Sequence, residues 1–319
     1  MTWTAETWPI AANMLGFGNV APDGRHIRNV PAGVWASQLR QLRDLGIDTI
    51  DPTDAWVPLA QLSERRLDEL EAVLADEGMS VASISMTRNS VVDADHGERN
   101  LADAHRLIDL APRFGATIIN TGFMQALTPQ QQAATWFWLE PGHVDDPALR
   151  DTAIARVREL GDHAARNGIR VSLEMYEDTF VGTADEAVAF ITDVDHKAVG
   201  LNPDLGNLVR LHRRIEDPVD MFEKVLPHSN FWHIKNYTRD FDPVTGAHSS
   251  APMPLKYGYI NYRLIIRRAI ELGYQGPFCC EHYGSDSFGV IAENRDYIRQ
   301  VLASALAVNG DVAASDRTE

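Results

Sequence analysis

Short apolar runs alternate along the chain with longer segments in which apolar residues recur every three or four positions. The first pattern reads as strand buried on both faces and the second as helix covering a sheet. Their alternation predicts repeated βα units and a parallel sheet. Eight strands are expected, at 9–13, 49–52, 80–85, 117–121, 169–174, 199–204, 231–235 and 277–281. Leu67, Leu70 and Leu74 share one helical face, as do Ile154, Val157 and Leu160; Leu264, Ile265, Ala269 and Leu272 form a third stripe. Thr183 and Glu186 have the spacing of a capping box. A glycine recurs between helix and strand, at Gly46, Gly78, Gly115, Gly168 and Gly273, where the turn after a helix favours left-handed backbone. Eight units in a chain of 319 residues predict an α/β fold, a single (β/α)8 TIM barrel over 1–308, with a disordered polar tail over 309–319. The long connections 17–33, 122–151 and 239–262 follow strands 1, 4 and 7, on the face where such barrels keep their sites.

Composition narrows the function classes. The net charge is -16, with acidic residues spread along the chain and the one dense basic run confined to 210–214. Phosphate-backbone binding needs a concentrated basic surface, so nucleic acid is not an expected partner. The two cysteines, Cys279 and Cys280, are neighbours in an expected strand and point to opposite faces, badly placed to bridge each other. With no disulfide framework, no apolar run in 1–9 and no run near the roughly 18 residues of a membrane span, a cytoplasmic protein without a membrane partner is expected.

The chemistry lies at four consecutive strand ends. Strand five ends in Glu174, strand six in Asp204, strand seven carries His233, and strand eight ends in Glu281. In a closed barrel these side chains converge. Three carboxylates crowded together repel one another, and a divalent cation removes the conflict. One ion bound by an O3N ligand set is expected, for which Mn²⁺, Mg²⁺ or Co²⁺ is better suited than the thiolate-loving metals. A single strand-end carboxylate is usually a surface group; four metal-capable residues on successive strands are harder to dismiss. Asn120, Lys235, Arg239 and Glu177 face the same end and are candidate substrate contacts. Arg88 and Asn89 are candidate rim contacts, and His282 points away from Glu281 as a structural neighbour. The loop after strand four carries Trp136, Phe137 and Trp138, which either pack as a lid or stack on substrate, and His143 just beyond is a candidate general base.

The strand-end tetrad resembles that of the xylose isomerase-like barrels, a group of sugar isomerases, epimerases and related enzymes. The resemblance covers about 9–306 and implies metal ligation by Glu174, Asp204, His233 and Glu281. Arg239, six residues after His233, resembles the substrate-contacting arginine of the ketose epimerases. Those enzymes commonly have a histidine where this chain has Asn207, and the loop after strand four is not typical of them. The aromatic loop, the segment 253–260 and the sequence 280–284 resemble the large (α) subunit of bacterial C-glycoside deglycosidases. That resemblance implies a 3-keto C-glycoside substrate, a divalent metal with Mn²⁺ the first choice, and a small β-rich partner subunit in a hetero-oligomer. The mechanism expected with it has the metal polarise the C3 carbonyl, His143 take the proton from C2, and the aglycone leave from C1 by β-elimination. The alternative is a sugar isomerase or epimerase in which Glu174 and Glu281 exchange protons. A non-catalytic sugar-binding barrel would not need a complete tetrad, and an endonuclease-like barrel would need a basic surface.

Overall fold

The computed structural model describes residues 3–284 and 286–315. Each expected strand forms, and each is followed by a helix. The units are β1 (Ile10–Asn13) and α1 (Ala32–Asp44), β2 (Thr49–Asp51) and α2 (Glu64–Asp76), then β3, in two pieces (Ser80–Val81 and Ser83–Ser85), and α3 (Gly97–Phe114). Next come β4 (Ile118–Thr121) and α4 (Arg150–Arg166), β5 (Arg170–Glu174) and α5 (Ala184–Val194), and β6 (Val199–Asn202) and α6 (Pro218–Val225). β7 (Trp232–Ile234) with α7 (Tyr262–Glu271), and β8 (Phe278–Cys280) with α8 (Ser287–Ser315), complete the eight. This is a TIM barrel. The last helix runs over part of the segment expected as a tail, and 316–319 lie outside the described residues.

Parallel pairing joins β3, β2, β1, β8 and β7 in one arc and β3, β4, β5 and β6 in the other; the break at Ala82 lets β3 serve both. The seam between β6 and β7 is thinner. There the Asn230 N–H donates to the Leu201 carbonyl (3.1 Å), and the Asn202 side-chain oxygen accepts from the His233 N–H (2.7 Å). A side chain thus replaces a ladder bond at the position that carries a candidate ligand.

The helices cover the strands as their patterns require. Leu67, Leu70 and Leu74 are buried in α2, and truncating any of them to alanine costs about 2–5 kcal/mol. On α7 the buried stripe is Ile265, Ile266, Ala269 and Ile270, while Leu264 and Leu272 are exposed, which corrects the phase expected for that helix. Apolar residues at 264–266, 269, 270 and 272 admit either phase, and packing of Tyr262 and Ile266 against the barrel decides it. Thr183 caps α5 by accepting from the Glu186 N–H (3.2 Å), but Glu186 turns its carboxylate to the Thr183 hydroxyl rather than to backbone. The five glycines between helix and strand all have φ between +62° and +83°, backbone that costs a side-chain-bearing residue about 1–2 kcal/mol.

The long loops are structured. The one after β4 holds a helical turn (Pro129–Ala133) and a 3-10 turn (Phe137–Leu139). The one after β7 folds into two short hairpins and is gathered around Asn236, whose amide donates to the Leu255 and Ile260 carbonyls (both 2.9 Å). Among the described residues, no helix is long and apolar enough to cross a membrane.

Candidate metal centre and active site

Register brings the four strand-end side chains together. Cys279 pairs with His233 across β8 and β7, so Glu281, two residues on, rises one layer above the imidazole. Glu174 closes β5 opposite Asn202, and Asp204 lies two residues beyond on the same rim. One ligand atom from each of Glu174, Asp204, His233 and Glu281 lies within 4.8 Å of the others, and all four residues are buried. His233 Nδ1 stands 3.2 Å from Glu174 Oε2 and 3.6 Å from Glu281 Oε2 without an aligned hydrogen bond. Both Asp204 oxygens are buried and lack a hydrogen bond as well, although the Lys235 ammonium lies 2.6 Å from Oδ2. Orphaned lone pairs of one carboxylate and one imidazole, converging with two further carboxylates, fit a hard divalent cation.

Electrostatics describes the same need. Burial pushes the Asp204 carboxyl up to about 7; Lys235 opposes that rise, while Glu174 and Glu281 add to it. Burial acts against the charged form of Glu174 too, but the His233 imidazole, Lys235 and the Asn120 hydrogen bond outweigh it and hold that carboxyl below its ordinary range. Burial would lower the His233 pKa, yet Glu174, Cys279 and Asp51 carry it well above the usual value. Protons and one ammonium thus balance the carboxylates.

Behind the ligands sits a set of residues that the sequence pattern did not single out. Asp51, at the end of β2, lies 3.2 Å from His233 Nε2. It also accepts from Asn13 Nδ2 (2.9 Å), Ser83 Oγ (2.7 Å) and Ser85 Oγ (2.8 Å). A carboxylate on Nε2 fixes the ring so that Nδ1 faces the tetrad. Asp51, His233 and Cys279 form a second three-residue cluster through the shared imidazole. Its crowding of hydroxyl and amide donors marks Asp51 as the support of the ring. Glu174 is held at both oxygens, accepting from Asn120 Nδ2 (2.9 Å) and Asn207 Nδ2 (3.0 Å). Gly206 leaves room for the Lys235 stem, since a Cβ there would lie 2.5 Å from Lys235 Cγ.

The expected substrate contacts separate into groups. Lys235 is inside the centre, also donating to Glu281 Oε1 (2.9 Å). Asn120 is spent on Glu174. Glu177 is buried against Arg210, whose Nη2 donates to both its oxygens (3.0 Å each). Trp138 is buried over Tyr237 and Tyr283 and donates to Ser250 Oγ (3.2 Å), and Trp136 stacks on its outer face. The loop after β4 is therefore a lid in this structure. His143 contacts Gln125 and Asp145 on the rim and no member of the tetrad. Arg239 donates to the Val209 (2.8 Å), Leu211 (2.6 Å) and Arg213 carbonyls, so its guanidinium ties down the segment after β6 instead of facing the centre. Arg210 and Tyr237, buried around the lid, and the half-buried Tyr283 were not expected as parts of the site, because composition alone cannot show that the first arginine of the run 210–214 turns inward.

A (β/α)8 barrel with four converging metal-capable side chains at the C-terminal ends of β5 to β8 defines the class. The chain belongs to the xylose isomerase-like TIM barrel family, whose model matches residues 39–304. It is 75% identical, with a TM-score of 0.94, to a xylose isomerase-like TIM barrel protein from Mycobacterium smegmatis solved in complex with magnesium; the match covers 96% of this chain and 100% of that one. A ketose 3-epimerase from Arthrobacter globiformis is 22% identical over 287 residues, 86% of either chain. A 3-dehydroshikimate dehydratase from Bacillus anthracis is 26% identical over 127 residues, 37% of this chain and only 44% of that protein.

Proposed function

We propose that this protein is a divalent-metal-dependent isomerase or epimerase that moves a proton at the carbon beside the carbonyl of a sugar-like substrate. The observation that carries the proposal is the buried tetrad with its orphaned His233 Nδ1 and Asp204 oxygens. Glu174, Asp204, His233 and Glu281 hold the ion, which supplies Lewis acidity to a carbonyl and its neighbouring hydroxyl. The magnesium named for the Mycobacterium smegmatis protein supports Mg²⁺ beside the Mn²⁺ that the resemblance implies. Glu174, oriented by Asn120 and Asn207, removes the proton, and Glu281, on the far side of the ligand set, returns one. Lys235 donates to the oxygen that gains charge. The buried lid residue Trp138 excludes water from the site. The relative named as a ketose 3-epimerase, aligned over most of both chains, supports this reading.

A second reading shares the first step and differs in the fate of the carbanion. In it, a 3-keto C-glycoside loses its aglycone by β-elimination, and a small β-rich partner subunit completes the enzyme. The aromatic lid favours it, because Trp136 keeps an accessible outer face on which a flat group can stack. The relative named as a dehydratase supports elimination chemistry in the family. The test is incubation of the Mg²⁺-loaded protein in D₂O with a panel of ketoses and 3-keto glycosides. Deuterium uptake beside the carbonyl with no released fragment supports the isomerase or epimerase. Aglycone release replaces it with the lyase, and neither outcome with any substrate removes the proton-transfer reading altogether.

A further inference from the structure

Two guanidinium groups pack on one aromatic ring of the lid. Phe137 lies with its centroid 4.8 Å from Arg88 Cζ and 4.7 Å from Arg210 Cζ. Arg210 is fully buried, and its Nε and Nη1 have no hydrogen-bond partner. A buried guanidinium with unused donors is costly unless an acceptor arrives. Arg88 donates to the Gln125 carbonyl and the Tyr176 hydroxyl (both 3.1 Å), and no carboxylate pairs with it among the described residues. It holds this position at φ +57°, strained backbone of the kind that persists at binding sites.

Aromatic contacts run inward from Phe137 toward the tetrad. Trp138, edge-on to Phe137, packs on Tyr283, two residues from Glu281, and on Tyr237, whose buried hydroxyl also lacks a partner. Outward lies a cavity of about 250 Å³ lined in part by Arg88, His143, His212 and Arg213. Glu177 and Asp178 are already paired with Arg210 and Arg213, and Glu140 also lines the cavity, so what sets the place apart is the unused donors of Arg210 beside an Arg88 that no carboxylate pairs with among the described residues. Free guanidinium donors in a buried place are suited to an oxyanion acceptor.

We propose that the substrate carries an oxyanion, at the end remote from its carbonyl, that displaces Phe137 and docks between Arg88 and Arg210. This rests on the proton-transfer reading only for the identity of the carbonyl end; the oxyanion site stands on its own geometry. The substrate class becomes an acidic carbohydrate, either a sugar acid or a sugar phosphate.

The test is a binding measurement that needs no turnover. Quenching of tryptophan fluorescence in the Mg²⁺-loaded protein gives Kd for D-glucose, D-glucuronate and D-glucose 6-phosphate, which share one carbonyl end and differ at carbon six. At least one anion should bind about tenfold tighter than glucose, the scale of a charge-assisted contact, and which of the two does so separates carboxylate from phosphate. Arg88→Gln should bring the three constants within about twofold of one another. The paired variant Arg210→Gln/Glu177→Gln, which leaves no lone buried charge, should do the same with the fold retained by circular dichroism. Equal binding of all three sugars, absence of binding, or an anion preference that survives both variants overturns the proposal. Deuterium exchange on the same samples tests the proton-transfer reading separately, so either can fail alone.

Discussion

Removing the carboxylate of Asp51 should weaken metal binding although Asp51 touches no ion. Its Oδ2 is the acceptor facing His233 Nε2 at 3.2 Å, and it also receives Asn13 Nδ2 and Ser85 Oγ. Asp51→Ala frees the imidazole to rotate and to place its proton on Nδ1, the nitrogen turned toward Glu174 and Glu281. Loss of such a support costs about 10–100-fold in metal affinity, or roughly 1.4–2.7 kcal/mol. The Asn13 amide and the His233 ring Nε2–H lose the Asp51 acceptor, so stability should fall by about 1–3 kcal/mol for each. Asp51→Asn behaves differently. Its amide oxygen can take the Oδ2 position while its NH₂ meets Ser83 Oγ, a hydroxyl free to rotate and accept. Affinity should then fall only a few-fold. Calorimetric titration of Mg²⁺ into the three proteins measures the differences. An Asp51→Ala protein that is folded and binds Mg²⁺ within twofold of wild type would show that the imidazole needs no such support and would refute the argument.

Three further outcomes follow from the same site and its rim. Apparent metal affinity should tighten as pH rises from 6 to 8, by up to about tenfold per unit for each proton displaced, because Asp204, held up to about 7, and His233, held well above its usual value, must lose protons to the ion; a flat calorimetric profile would contradict this. Lys235→Met should lower the melting temperature in EDTA and leave it nearly unchanged in saturating Mg²⁺, because the ammonium balances Asp204 and Glu281 when no ion does, and equal losses in both buffers would argue otherwise. Asp145 is pushed up to about 7 by burial against the opposing Phe180 N–H, so its folded pKa exceeds the unfolded value of 3.8. Its stabilising contribution is whole at low pH and disappears as pH climbs through about 7, so Asp145→Asn should gain on wild type between pH 4 and 8 by on the order of 1–3 kcal/mol in urea unfolding.

The clustering of Glu174, Asp204, His233 and Glu281 was legible because each sits where an apolar strand stops, and a parallel barrel turns consecutive strand ends into neighbours in space. The lid was half legible: three aromatics in one loop announce burial, but not whether they bury against substrate or against Tyr237 and Tyr283. Asp51 escaped notice because an Asp-Pro pair closing a short strand reads as the start of a turn, and nothing local shows that its side chain turns inward to His233, 182 residues away. Arg239 was misjudged from spacing alone; its guanidinium is consumed by three carbonyls of the segment after β6. In each case the missing information is a contact between distant parts of the chain, which strand periodicity does not encode.

The central claim is that Glu174, Asp204, His233 and Glu281 hold one divalent ion. The most direct test is titration of the EDTA-stripped protein with Mg²⁺ and Mn²⁺, beside Asp204→Asn and His233→Ala. The account predicts one ion per chain and at least about a hundredfold loss of affinity in each variant that remains folded; binding that survives both substitutions, or no binding by the wild type, would contradict it.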